Sequence, residues 1–189
     1  MKAGTGYKIL GAGSLIFLMA MFIVPFLSST SNSITSVTIS DLGSQDNPNG
    51  WIINSAIIVA ALSSVVAGWG YYEGFVFQRL ILVLFATSLS LTAIFNQAPA
   101  CQSYQGNLNE DIWHLYFTCT SSLSFIILTS STAFIREREG ERLMALLTAF
   151  SVLLLSVIMY KSENIDGILN RLILLIVFGW MIYNFRKRD

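Results

Sequence analysis

The chain has 189 residues, 54 % of them hydrophobic and 12 % charged, with eleven basic and eleven acidic side chains and a single histidine. Soluble domains carry about 25 % charged residues, so half that share with a mean hydropathy of +0.64 describes a multipass membrane protein. Zero net charge leaves no electrostatic case for nucleic acid, and one histidine excludes a metal centre built from several imidazoles.

A bilayer span needs about 20 apolar residues. The first predicted span covers residues 9–27. Its basic start imitates a signal peptide, but the run is long for one. "FLSSTSN" offers no A-x-A-like cleavage site, so the segment is expected to be retained. "GAGS" inside it lacks the strand–turn–helix setting of a nucleotide loop. The loop 30–50 contains the most polar stretch, "SDLGSQDNPNGW", with Asp41 and Asp46 and no basic residue. Asn47-Pro48 and Asn49-Gly50 favour a tight turn that feeds the second span at Trp51.

The second span covers 51–72 and the third 79–96. A longer polar loop with Cys101 leads to the fourth, 112–135, which His114 begins, with Asp111 one turn earlier. "REREGER" follows as a solvated turn with local ion pairs. The fifth span covers 143–160. The sixth, 165–185, holds Arg171 one to two turns inside and ends in "FRKRD", suited to anionic headgroups. No ten-residue segments of strict alternation point to a β-barrel. The fold class is therefore all-α: one domain, 1–189, a six-helix transmembrane bundle. Small residues in "SAIIVAALSSVVAG", "TCTSSLSF" and "TSSTA" permit close helix approach. They place the second and fourth spans at the centre, or against a partner membrane protein. Trp51, Trp69, Tyr71, Tyr72, Trp113, Trp180 and Tyr183 form an expected interfacial belt.

Lys2, Lys8, Arg79, Arg136, Arg138, Arg142, Arg186, Lys187 and Arg188 fall on one side of the membrane. Only Lys161 and Arg171 fall on the other. Nine basic residues against two place both termini in the cytoplasm of a plasma (inner) membrane. The loop 30–50 then faces outward.

The candidate ligand-binding residues collect on that outer side: Asp41, His114, Arg171, Asn54 and Asp111. Ionisable groups at membrane depth are costly unless paired or hydrated, and so commonly mark function. Asp41 is the first expected partner of Arg171 and Asp166 the second, with the loop folded back over the bundle mouth and Asn47 and Asn54 completing a polar lining. The plainer readings are that Arg171 snorkels, that a backbone carbonyl satisfies His114, and that Asp41 caps a short loop helix. Cys119 is expected to be buried and inert, or bridged to Cys101 in an oxidising compartment. No metal or cofactor is expected.

Three landmarks follow one another: "ISDLGSQDNPNGWIIN", "FNQAPACQSYQGNLNEDIWHLYFTCTSSLSF" and "IDGILNRLILLIVFGW". Their order resembles the domain-of-unknown-function family 998, small bacterial and archaeal membrane proteins of about six helices. The resemblance implies a Ser-Asp-x-Gly stretch with a later Asn, a His opening the fourth span and a Gly-x-x-x-Arg opening the sixth. The loop "FNQAPACQ" departs from the family's Phe-Pro-x-Asp stretch. The resemblance implies no settled activity.

Three functions fit these residues. One is an outward-facing binding or transport-like pocket for a small polar molecule or a lipid headgroup. One is a structural subunit packing through small-residue faces. The last is an intramembrane lipid hydrolase or transferase with His114 as base and Ser40 or water as nucleophile. Membrane lipids are the expected partners in each.

Overall fold

A computed structural model describes residues 3–27, 35–98, 106–162 and 165–186, with side chains from Thr5 onward. Among the described residues the chain is helix and turn without a strand. The helices are α1 (Ala3–Leu27), α2 (Ile39–Leu42), α3 (Gly50–Tyr71), α4 (Val76–Ile94), α5 (Leu108–Phe134), α6 (Glu139–Lys161) and α7 (Asp166–Arg186). All but α2 are long and apolar enough to cross a membrane. Hydrocarbon offers backbone groups no water, so such runs close their hydrogen bonds internally as helices.

The predicted spans match the six long helices, but several helices begin earlier. The α5 helix starts at Leu108 because Asn107 caps its first turn, accepting from Asn109 N at 3.1 Å. The α6 helix takes in the polar Glu139–Arg142 turn. Hydropathy marks only the greasy part of a helix, whereas capping and backbone bonding set its ends.

Each long helix packs against its neighbours in the chain, and α1 closes the ring on α7. Small residues set the α1–α3 spacing. A methyl group on Gly6 would lie 3.0 Å from Ala67 Cα, and one on Gly13 would run into Ser63. The "GAGS" run thus serves close packing. The expectation of a central second and fourth span holds for only one of them. In α3 and α7, 44 % of the apolar stretch is buried, against 33 % in α5 and 22 % in α6. One flank of α5 carries Trp113, Leu115, Tyr116, Leu123, Ile127 and Phe134, all exposed as a lipid-facing stripe would be.

The aromatic belt divides in the same way. Trp51, Trp69, Trp113 and Tyr183 are exposed, whereas Tyr71, Tyr72 and Trp180 are buried. Tyr71, Tyr72 and Phe185 pack ring against ring, with centroids 4.8–5.7 Å apart. They close the bundle at the end opposite α2. Arg136 sits over the Tyr71 ring at 5.0 Å and donates to Asn184 Oδ1 at 2.7 Å. It also pairs with Glu141 at 3.3 Å. Tyr72 and Thr132 share a hydroxyl–hydroxyl bond of 2.8 Å.

Candidate functional site

The segment from Val37 to Gln45 lies over the other end of the bundle, and its local chemistry explains α2. Thr38 is the N-cap and Asp41 the third residue of the helix, so each satisfies the other's backbone. Asp41 Oδ2 accepts from Thr38 N at 2.8 Å and from Thr38 Oγ1 at 2.7 Å, while Asp41 N donates to Thr38 Oγ1 at 3.1 Å. This capping box fixes a helix too short to persist alone.

Other elements then hold α2 almost residue by residue. Arg171 Nη1 donates to Val37 O at 2.7 Å and to Gly167 O at 2.8 Å. Asn170 Oδ1 accepts from Ile39 N at 3.0 Å. Gln97 Nε2 donates to Asp41 Oδ1 at 3.3 Å. Asn54 Nδ2 donates to Gly43 O at 3.1 Å and to Asn96 Oδ1 at 2.9 Å. Gln45 ties the loop to Asn96 O and to Asn107. The expected Asp41–Arg171 pair is therefore not formed: Thr38 and Gln97 take the carboxylate, and backbone carbonyls take the guanidinium. Asp166, the second expected partner, keeps Oδ1 buried without a hydrogen-bond partner among the described residues. Asp111 stands aside from the cluster, where Oδ1 accepts from Ala98 N at 2.9 Å and pins the segment after α4.

His114 is buried, and its two ring nitrogens face different chemistry. Nδ1 lies 2.9 Å from Thr92 O and 2.8 Å from Phe95 O, and Nε2 lies 3.0 Å from Ser40 Oγ. Carbonyl oxygens only accept, so Nδ1 carries the proton. In the neutral ring Nε2 is then an acceptor and the Ser40 hydroxyl its donor. Thr92 lies in the last turn of α4 and Phe95 is its C-cap, where no helical N–H reaches the carbonyls. His114 caps that helix and ties α2, α4 and α5 together.

Beneath α2 lies a cavity of about 100 Å³. All seven helices contribute to its wall. Its polar lining is Ser40, Thr92, Thr118, Ser121, Ser122, Ser156 and Asn170, and Phe17, Ile57, Met159 and Phe178 are among its apolar members. Among the described residues, no charged side chain lines it. Of the residues singled out from sequence, Asp41, Asn54, Arg171 and His114 stand around the cavity in the bonds that hold its roof. Six hydroxyl residues and Asn170 form the polar part of a wall that is otherwise apolar; sequence reasoning named Ser40 as a candidate nucleophile and treated Thr118, Ser121 and Ser122 as helix-packing groups. Their signal was the spacing of Thr118, Ser121 and Ser122, three and four residues apart on one face of α5.

Cys119 is exposed on α5 rather than buried, because its position falls outside the buried stripe. A bridge to Cys101 lies outside the described residues. No group of three or more metal-ligating side chains occurs among the described residues.

Six membrane-length helices around a small cavity of mixed polar and apolar lining, roofed by a folded-back loop, define a polytopic membrane protein. The chain belongs to the family described as "Protein of unknown function (DUF998)", whose model matches residues 11–185. No match was found among curated proteins or solved structures.

Proposed function

We propose that the protein is a membrane-embedded binding module that takes the uncharged polar head of an amphiphile into the cavity beneath α2. The observation that carries this is the composition of the wall. Seven of its described residues bear hydroxyl or amide groups beside eight apolar ones, and Arg171 and Asp41 are turned into the roof. A wall of this kind suits an ester, hydroxyl or amide head better than an anion. Pockets that orient small molecules combine apolar surface with a few placed polar groups in the same way.

Two further features support the reading. The aromatic and Arg136 cluster closes the opposite end, which suits a one-ended module rather than a channel. The α6 helix is the least enclosed of the six, and its Ser156 and Met159 line the cavity, so acyl tails have a path past them into lipid. By the excess of basic residues at the closed end, the α2 end faces outward and both termini face the cytoplasm.

A diazirine-bearing monoacylglycerol in phosphatidylcholine nanodiscs tests this directly. Crosslinks are expected on α5, α6 or α7 beside the cavity. Ser121→Leu, which fills it, should remove them. A phosphatidic acid analogue should compete weakly. Equal labelling of parent and Ser121→Leu, or stronger competition by the charged analogue, would refute the reading.

A further inference from the structure

Hydroxyls in membrane helices usually return to the carbonyl three or four residues back, and here Ser63, Ser64, Ser90, Ser121 and Ser131 do so. Ser40 differs. Its Oγ meets Nε2 of the chain's single histidine at 3.0 Å, and it lies on the cavity wall. We infer that Ser40 and His114 are a nucleophile and its general base, and that the cavity cleaves or transfers an acyl ester. The inference rests on the binding reading above and narrows its ligand to an ester-bearing amphiphile.

The geometry supplies what such a pair needs. In hydrolases that use a serine, a histidine and an acid, the acid holds the imidazole in the tautomer whose Nε2 accepts the serine proton. The Thr92 and Phe95 carbonyls impose that tautomer here. They end helix α4, so oriented carbonyl dipoles face the imidazolium that forms when the proton is taken. A carboxylate in that place would be costly to bury within a bundle, and a helix end achieves the orientation without one. Two donors are available for the oxyanion. Thr118 Oγ1 is buried and has no hydrogen-bond partner among the described residues. Asn170 lines the cavity and uses Oδ1 on Ile39 N, so its amide NH2 remains a donor.

The reaction balances without any oxidant, reductant or metal. Ser40 Oγ adds to the ester carbonyl carbon as its proton passes to His114 Nε2, and the carbonyl electron pair moves onto oxygen. Collapse of that intermediate breaks the bond to the alkoxy oxygen, which leaves as the alcohol with the proton from Nε2. Water, or the hydroxyl of a second amphiphile, then attacks acyl-Ser40 while His114 takes its proton. The acid or a new ester departs, and the proton returns to Ser40.

The test uses the full chain in phosphatidylcholine nanodiscs and a short-chain alkyl fluorophosphonate, which bonds to an activated serine. The expected result is one adduct, mapped by peptide mass to Ser40. Its rate should fall about 100-fold or more in His114→Gln, the low end for loss of a general base. Thr118→Val should slow labelling while thermal stability is kept, which a merely structural role for the pair does not produce. Absence of an adduct on Ser40, or labelling of His114→Gln at the parent rate, overturns the inference. Running the monoacylglycerol photoprobe on the same preparation separates the two readings. Crosslinking without fluorophosphonate labelling removes the chemistry and leaves the binding module; loss of both removes both.

Discussion

Gly43 is where the roof of the cavity is most sensitive to a single methyl group. A Cβ there would enter the space of the Asn54 amide, which donates to Gly43 O at 3.1 Å and to Asn96 Oδ1 at 2.9 Å. Displacing that amide loses two neutral hydrogen bonds, about 0.5–1.5 kcal/mol each. Gly43 has φ −94°, a conformation open to alanine. The substitution therefore also restricts the unfolded chain, an opposing gain of about 0.4–1 kcal/mol. The net expectation for Gly43→Ala is a loss of about 1–2 kcal/mol, or about 2–8 °C in Tm for a chain of this length. Thermal unfolding in detergent reads it. Gly11→Ala is the control: a methyl group there meets nothing within 4 Å, and helix propensity favours it by up to about 1 kcal/mol. In Asn54→Ala the obstacle is gone, so adding Gly43→Ala should cost nothing more. Such non-additivity identifies two residues sharing one contact. An unchanged Tm in Gly43→Ala, or losses that simply add in the double variant, would refute the reasoning.

The closed end offers a paired comparison. Arg136→Leu removes a bond to Asn184, an ion pair with Glu141 and a ring contact from a side chain only 18 % exposed, so a loss of about 2 kcal/mol is expected in the same unfolding assay. Arg138 also reaches Glu141, but at 3.9 Å from a side chain 83 % exposed; Arg138→Leu should leave Tm unchanged, as solvent-exposed pairs generally contribute little. For topology, single cysteines Asp46→Cys and Arg138→Cys in a Cys101→Ser, Cys119→Ser background should separate on intact cells. A membrane-impermeant maleimide labels position 46 and spares 138 if the α2 end faces outward, and the reverse pattern inverts the orientation.

The hydroxyls on the cavity wall have a physical logic in a membrane. A buried charge costs several kcal/mol unless paired or bonded. Here Arg171 holds the segment leading into α2 through Val37 O, and Asp41 is engaged in its own capping box. Serine and threonine can satisfy themselves on the preceding turn of their helix. They therefore line a cavity at little cost when it is empty, and Thr92 and Ser121 do this. A polar head can then meet those groups without displacing a salt bridge.

Much of this molecule is legible from one-dimensional information. Six runs of about twenty apolar residues become six helices because backbone hydrogen bonding in lipid permits little else. Thr38 to Asp41 announces its own capping box, whereas the carbonyls that satisfy His114 come from the end of α4, brought to it by packing. What sequence order alone left open is which polar groups meet. Arg171 and Asp41 carry opposite charges at the same end of the bundle, yet nearer partners took each of them: the carbonyl of Val37 and that of Gly167 one turn back on α7, and the hydroxyl and backbone of Thr38. The meeting of Ser40 with His114 joins residues 74 positions apart. It depends on the loop folding inward onto the end of α4, a choice made by Asn54, Asn170, Gln97 and Arg171 together. Hydrophobic periodicity is local and survives in the linear order of residues. Hydrogen-bond partnership at a bundle mouth is a competition among groups from several helices, and only their packing in three dimensions decides it.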